Sequence, residues 1–176
     1  MIKGATVSCR TVLQRTLPVA LLLLVLPLAA CEGDTATDTA VLDEGSGPTS
    51  RTGEDLSGED LSGTDVSDWD LSATTMDGIS LRGGVAKRTA FSGSKMEQAD
   101  LEDADLEAAD FRRAIVKRST LAGADLSGSD LSGATFDDTD LTGADLTGAD
   151  LTDVEFLNVT FCNTVMPDGD VNDRDC

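Results

Sequence analysis

The side chains with chemical potential in this chain are carboxylates, a smaller set of cations and four thiols. Thirty-three acids stand against thirteen bases, and neither histidine nor tyrosine occurs. Without histidine no serine has an evident base to activate it, and proton transfer near neutral pH lacks its usual carrier. No glycine-rich phosphate loop is present; glycines such as Gly123, Gly128, Gly133, Gly143 and Gly148 fall in one five-residue phase instead. Asp168, Asp170, Asp173 and Asp175 offer the hard oxygen ligands that calcium takes. They lack the D-x-D-x-D-G order and closing Glu of a calcium loop. The sequence therefore points to no catalytic residue, no metal and no cofactor.

The repeat that positions these groups is the dominant signal. A large apolar residue, here called the centre, recurs every five residues from Leu56 to Met166: 23 positions in one phase, of which only Ala86 is small. The core candidates are Leu101, Leu106, Phe111, Leu121, Leu126, Leu131, Phe136, Leu141, Leu146, Leu151 and Phe156. Two residues before each centre lies a second column. From residue 84 to residue 164 it holds 17 residues, all Gly, Ala, Ser, Thr or Val. Period five fits neither a helix nor a simple strand. A fixed repeat of this length indicates stacked units that lean on their neighbours. A chain that turns a corner every five residues has four sides per coil. Centres and small residues then share a narrow shaft, and residues twenty apart stack at about 4.8 Å.

The A-D-L-x-x pattern, as in Ala99-Asp100-Leu101 and Ala144-Asp145-Leu146, resembles the pentapeptide-repeat family. The resemblance implies an all-β fold, a right-handed quadrilateral β-helix of about five to six coils over residues 54–166. Phe91 should stack under Phe111 and Phe136 under Phe156, with Leu106, Leu126 and Leu146 in a further column. Residues 54–83 fit less well. Glu54 and Glu59 hold small-residue positions, where a buried charge is costly, and Trp69 is large for the shaft. An irregular first coil or two is expected there.

Residues 1–30 read as a secretory signal peptide. Lys3, Arg10 and Arg15 precede an apolar run of about 14 residues, short of the roughly 20 that span a bilayer. Leu28-Ala29-Ala30-Cys31 resembles the lipobox of bacterial lipoproteins, which implies cleavage before Cys31 and a diacylglycerol on its thiol. Residues 31–53 then form a polar, acidic tether with almost nothing to bury. Cys9 leaves with the signal peptide and lipid occupies Cys31, so Cys162 and Cys176 remain as an even pair in an oxidising compartment. The segment from Phe161 to Gly169 resembles an ending found in exported pentapeptide-repeat proteins. A turn at Pro167-Asp168-Gly169 is expected to fold residues 170–176 back as a cap, pinned by a Cys162–Cys176 disulfide.

The full chain carries a net charge of −20; removing three bases with the signal peptide leaves 10 bases against 33 acids, or −23. Such a surface repels nucleic acid and anionic lipid and keeps a stacked β-helix soluble, so direct nucleic-acid binding is not expected and a monomer is favoured. Acids before the centres stack into columns, Asp105, Asp125, Asp145 and Asp110, Asp130, Asp150. The bases gather at Lys87, Arg88, Arg112, Arg113, Lys117 and Arg118. They are read as cation partners of acids in adjacent coils, Lys117 with Glu97 and Asp137, and Arg118 with Asp138. A docking patch for an acidic partner is the sharper reading of the same residues. The expected role is a non-catalytic structural or protein-interaction module, exported and held at the bacterial membrane by the lipid on Cys31, with a protein partner unknown. The family also includes cytoplasmic proteins that mimic DNA and bind gyrase, so the alternative is a DNA-mimicking regulator of a topoisomerase, which requires a cytoplasmic pool. A calcium-dependent adhesion module is a further alternative.

Overall fold

The computed structural model describes residues 49–176. The expected signal peptide, Cys31 and most of the expected tether lie outside the described residues. From Ser50 onward the chain winds as a four-sided right-handed β-helix, each five-residue unit forming one side. The residue before each centre bridges in parallel to the residue twenty positions on, from Ser50↔Asp70 to Asp145↔Val165. The unit around Leu101 shows why this register holds. Leu101 N–H donates to Thr120 O at 2.9 Å, Asp103 N–H donates to Ala122 O at 2.9 Å, and Thr120 N–H donates to Ala99 O at 3.0 Å. Coil-to-coil bonds therefore satisfy the backbone without long strands.

The corner residue lies two positions after the centre. It has positive φ at all 23 corners from 53 to 163, eleven of them glycine and twelve not. The left-handed conformation costs an L residue roughly 1–2 kcal/mol. At Arg113 it is held by an N–H bond to Ser132 O at 3.0 Å, so the stack offsets the local penalty.

One side is built differently. Strands β1 (Lys95–Glu97), β2 (Ile115–Lys117), β3 (Thr135–Asp137) and β4 (Glu155–Leu157) form a parallel sheet in that order. At other corners an N–H reaches the carbonyl three residues back, as Ala104 does to Leu101 at 3.2 Å. On the sheet side hydroxyls serve instead. Ser119 Oγ accepts from Ala99 N–H at 3.0 Å, and Thr139 Oγ1 donates to Val116 O at 3.3 Å.

The shaft is filled as the two columns require. Leu101, Leu106, Phe111, Leu121, Leu126, Leu131, Phe136, Leu141 and Leu146 are buried, while Leu151 and Phe156 in the last coil are partly buried. Phe91 stacks on Phe111 with ring centroids 4.8 Å apart, and Phe136 on Phe156 at 5.6 Å. The small column, including Ala104, Ala109, Ala124 and Ala134, is buried beside them.

The expected irregularity over 54–83 is absent. The coil runs in register from Ser50, and Leu56, Val66, Leu71, Met76 and Leu81 are fully buried. The reason lies in the direction of each column. Centres are covered by the following coil, and small-position residues by the preceding one. The first coil has no predecessor among the described residues, so Glu54 is exposed and Glu59 and Trp69 are half-buried. Thr74 and Ile79, which do have a coil beneath them, are buried. Bulk or charge at the small positions of the first coil therefore meets no opposing wall among the described residues.

Candidate functional site

The acids before the centres have a local structural use. Asp55 accepts hydrogen bonds from the Ser57 hydroxyl at 2.6 Å and the Ser57 N–H at 3.1 Å. The N–H groups of Ser127, Ser132, Thr142 and Thr152 donate in the same way to Asp125, Asp130, Asp140 and Asp150. Each carboxylate takes an N–H at the start of a corner, the usual work of an Asp that caps a turn. The hydroxyl and N–H of Ser57 hold Asp55 below the ordinary carboxylate range, and those of Thr152 do the same to Asp150. The columns Asp105↔Asp125↔Asp145 and Asp110↔Asp130↔Asp150 stand in register. The same cap recurs in successive coils, although Val85 and Ala90 hold the equivalent places one coil earlier. Among the described residues, no group of three or more acidic, histidine or cysteine side chains is arranged to hold a metal ion.

Most cations link neighbouring coils. Lys87 lies 2.9 Å from Asp105 and 2.7 Å from Glu107, and these carboxylates raise its pKa, Glu107 most. Arg88 pairs with Asp68 at 2.7 Å, and Lys117 approaches Asp137 at 3.8 Å. Arg112 pairs with Asp110 at 2.6 Å, which lowers the Asp110 pKa, and reaches toward Asp130 at 3.8 Å. Arg118 departs from expectation. It pairs with Glu97 in the coil below rather than with Asp138. The guanidinium swings diagonally to the long Glu97 side chain, although the equivalent column pairing does form between Arg88 and Asp68. Exposed pairs of this kind contribute little each, about 0–1 kcal/mol.

The ends contain the groups that sequence reasoning missed. Arg51 occupies the phase of a centre one unit before Leu56. Its guanidinium pairs with Glu54 at 2.9 Å and Glu59 at 2.8 Å, closing one side of the first coil with a charged lid. The signal was available: an Arg five residues before the first Leu, with two glutamates at small positions. At the other end β5 (Thr164–Val165) pairs antiparallel with β6 (Val171–Asn172) across a turn in which Gly169 has φ +87. Asp175 N–H donates to Phe161 O at 2.9 Å, and Arg174 lies 4.9 Å over the Phe161 ring and donates to Val159 O at 3.1 Å. The structure brings Cys162 and Cys176 together as a disulfide, with Cα atoms 4.8 Å apart.

A β-helix of stacked five-residue units, without long strands or helices among the described residues, defines the class: a pentapeptide-type solenoid. The family profile described as pentapeptide repeats matches the chain in eight copies, over residues 87–121, 120–158 and 129–166. A pentapeptide repeat protein of the Arabidopsis thaliana thylakoid lumen is 33% identical, with 58% of this chain and 68% of that chain covered and a TM-score of 0.35. HetL of the cyanobacterium Nostoc, a pentapeptide repeat protein involved in heterocyst differentiation regulation, is 19% identical, with 70% and 92% covered and a TM-score of 0.39. A trypsin-treated form of QnrB1, a plasmid-mediated fluoroquinolone resistance protein, is 21% identical, with 71% and 84% covered and a TM-score of 0.30. No curated protein sequence matches. The chain belongs to the pentapeptide-repeat family.

Proposed function

We propose that this protein is an exported bacterial lipoprotein, anchored through a lipid on Cys31, whose acidic β-helix is a non-catalytic structural or interaction module at the cell envelope. The observation that carries the non-catalytic part is how the chemical side chains are used. Carboxylates cap turns, most cations bind acids in adjacent coils, and the two described thiols are joined. The Cys162–Cys176 bond also supports an oxidising compartment, where such bonds persist. The basic start, apolar run and Leu28-Ala29-Ala30-Cys31 support the anchor. Two acyl chains would give the stable attachment that one does not.

The test is lipid labelling with cell fractionation, comparing wild type with Cys31→Ala. Label and membrane association in the wild type, both lost in the variant, are expected. A soluble, unlabelled, cytoplasmic wild type would contradict the anchor. It would favour the second reading, a DNA-mimicking regulator of a nucleic-acid enzyme, which the in-register aspartate columns support. A calcium-linked rise in melting temperature would instead favour adhesion.

A further inference from the structure

The four corners of the β-helix differ in a way that bears on binding. Over four successive coils, one corner carries no acid at all: residues 72–75, 92–95, 112–115 and 132–135. The equivalent stretches at the other three corners contain acids, among them Asp77 and Asp137, Asp103 and Asp125, and Asp110 and Asp130. The acid-free corner holds mainly Ser, Thr, Gly and Ala, together with Ile115 and the cations Lys95, Arg112 and Arg113.

The cations there are unlike those elsewhere. Of ten bases among the described residues, eight form ion pairs and two, Lys95 and Arg113, form none. Lys95 lies directly beneath Ile115 in parallel register, and Arg113 precedes Ile115 by two residues. Gly93 and Gly133 occupy the corner below and above Arg113, so no side chain flanks it there. The result is an open notch of about 420 Å³ lined by Ser92, Gly93, Arg112, Arg113 and Ser132. Ile115, two residues on from Arg113 and outside the notch lining, is 36% exposed, one of three exposed large hydrophobic residues among those described.

The corner combines unpaired donors, an apolar contact and small residues that permit close approach. Those are the parts needed to recognise a carboxylate on another protein: a charge-assisted hydrogen bond from a planar guanidinium, next to an apolar contact that excludes water. The negative field of the other corners is screened over about 8–10 Å at physiological salt. It selects a partner whose carboxylate is set in a neutral or basic surface.

We propose that a partner protein docks on this corner, seating an Asp or Glu side chain in the notch against Arg113, with Lys95 as a second unpaired cation further along the same corner, and packing an apolar group on Ile115. The proposal rests on the interaction-module reading and names its surface. The test places the photo-cross-linker p-benzoylphenylalanine at position 115 of the full chain in its native cells, with Ala122 and Ser127 on two other corners as control positions. Cross-linked peptides are sequenced by mass spectrometry. Yield at 115 is expected to exceed both controls by about tenfold, with an Asp or Glu in the captured segment. Arg113→Glu combined with Lys95→Glu should lower that yield by about tenfold, and changing the captured acid to Lys should restore it. Both replaced side chains are exposed and unpaired, so an unchanged melting temperature verifies that the variant folds. Cross-linking at 122 or 127 instead, a captured segment without an acid, or a yield unmoved by charge reversal would overturn the corner and leave the interaction module standing. No cross-link at any of the three positions would overturn both.

Discussion

The two ends of the β-helix are made from the same five-residue unit and close in opposite ways. At the first coil the centres are covered and, among the described residues, the small positions are open, so glutamates and a tryptophan are tolerated and Arg51 closes one side. At the last coil Val159 and Thr164 at small positions are buried and Val154 partly so, whereas of the centres only Phe161, beneath Arg174 of the folded-back segment, is buried. Leu151, Phe156 and Met166 are only partly buried there, and a folded-back segment with a disulfide covers part of that face. The difference teaches that a repeat has a direction. A residue forbidden in the middle is harmless at the end toward which its column points.

The strongest test of that rule moves the charge inward. Ala104→Glu places a carboxylate at a small position with coils on both sides and should cost several kcal/mol, about 3–5, in denaturant unfolding. Glu59→Ala in the first coil should change stability by less than about 1 kcal/mol. Equal effects would break the comparison. Next in size, Phe111→Ala removes a ring packed from both sides and should cost about 3–5 kcal/mol, whereas Phe156→Ala at the partly open end should cost about half as much. Cys176→Ser sharpens the contrast between the lids. Losing the disulfide across a separation of 14 residues should cost about 3 kcal/mol in the chain-entropy model. Arg51→Met should cost only about 1 kcal/mol and less at high salt, because its partners are solvent-screened.

The smallest effect expected is on pH. Asp55, Asp60 and Asp65 sit below their ordinary value because the Ser two residues on donates to each carboxylate. A lowered native pKa stabilises above the unfolded value, 3.8, and that contribution is lost as pH falls through the native value. Acid below about pH 4 should therefore weaken these turn caps in the first coil, as it should those of Asp150 and Asp175 near the other end, where the disulfide itself does not titrate. Amide exchange of the Leu56 and Leu61 N–H groups at pH 3 and pH 6 checks this.

Much of the fold was legible because one period dominates the sequence. The centres from Leu101 to Leu146 and the stacked phenylalanines follow from counting by five and by twenty. The misreading of 54–83 arose because the period says which residues share a shaft, not which neighbour covers each of them. Glu54 and Glu59 looked buried only on the assumption of a coil beneath. The Arg118 partner was misassigned for a related reason. Column counting pairs residues twenty apart, whereas a long side chain reaches diagonally to Glu97. The acid-free corner could have been found by laying the sequence out in rows of twenty. It carries no motif, being marked only by what it lacks.

Hydrogen exchange resolved coil by coil, with and without a dithiol reductant, tests the directional account most directly. In the oxidised protein the Leu146 and Val165 N–H groups, which donate to Val165 O and Ala144 O, should be strongly protected. Reduction should lower protection there by about a hundredfold, the equivalent of roughly 3 kcal/mol, and leave Leu56 and Leu61 unchanged. Loss of protection in the first coil on reduction, or none in the last, would contradict it.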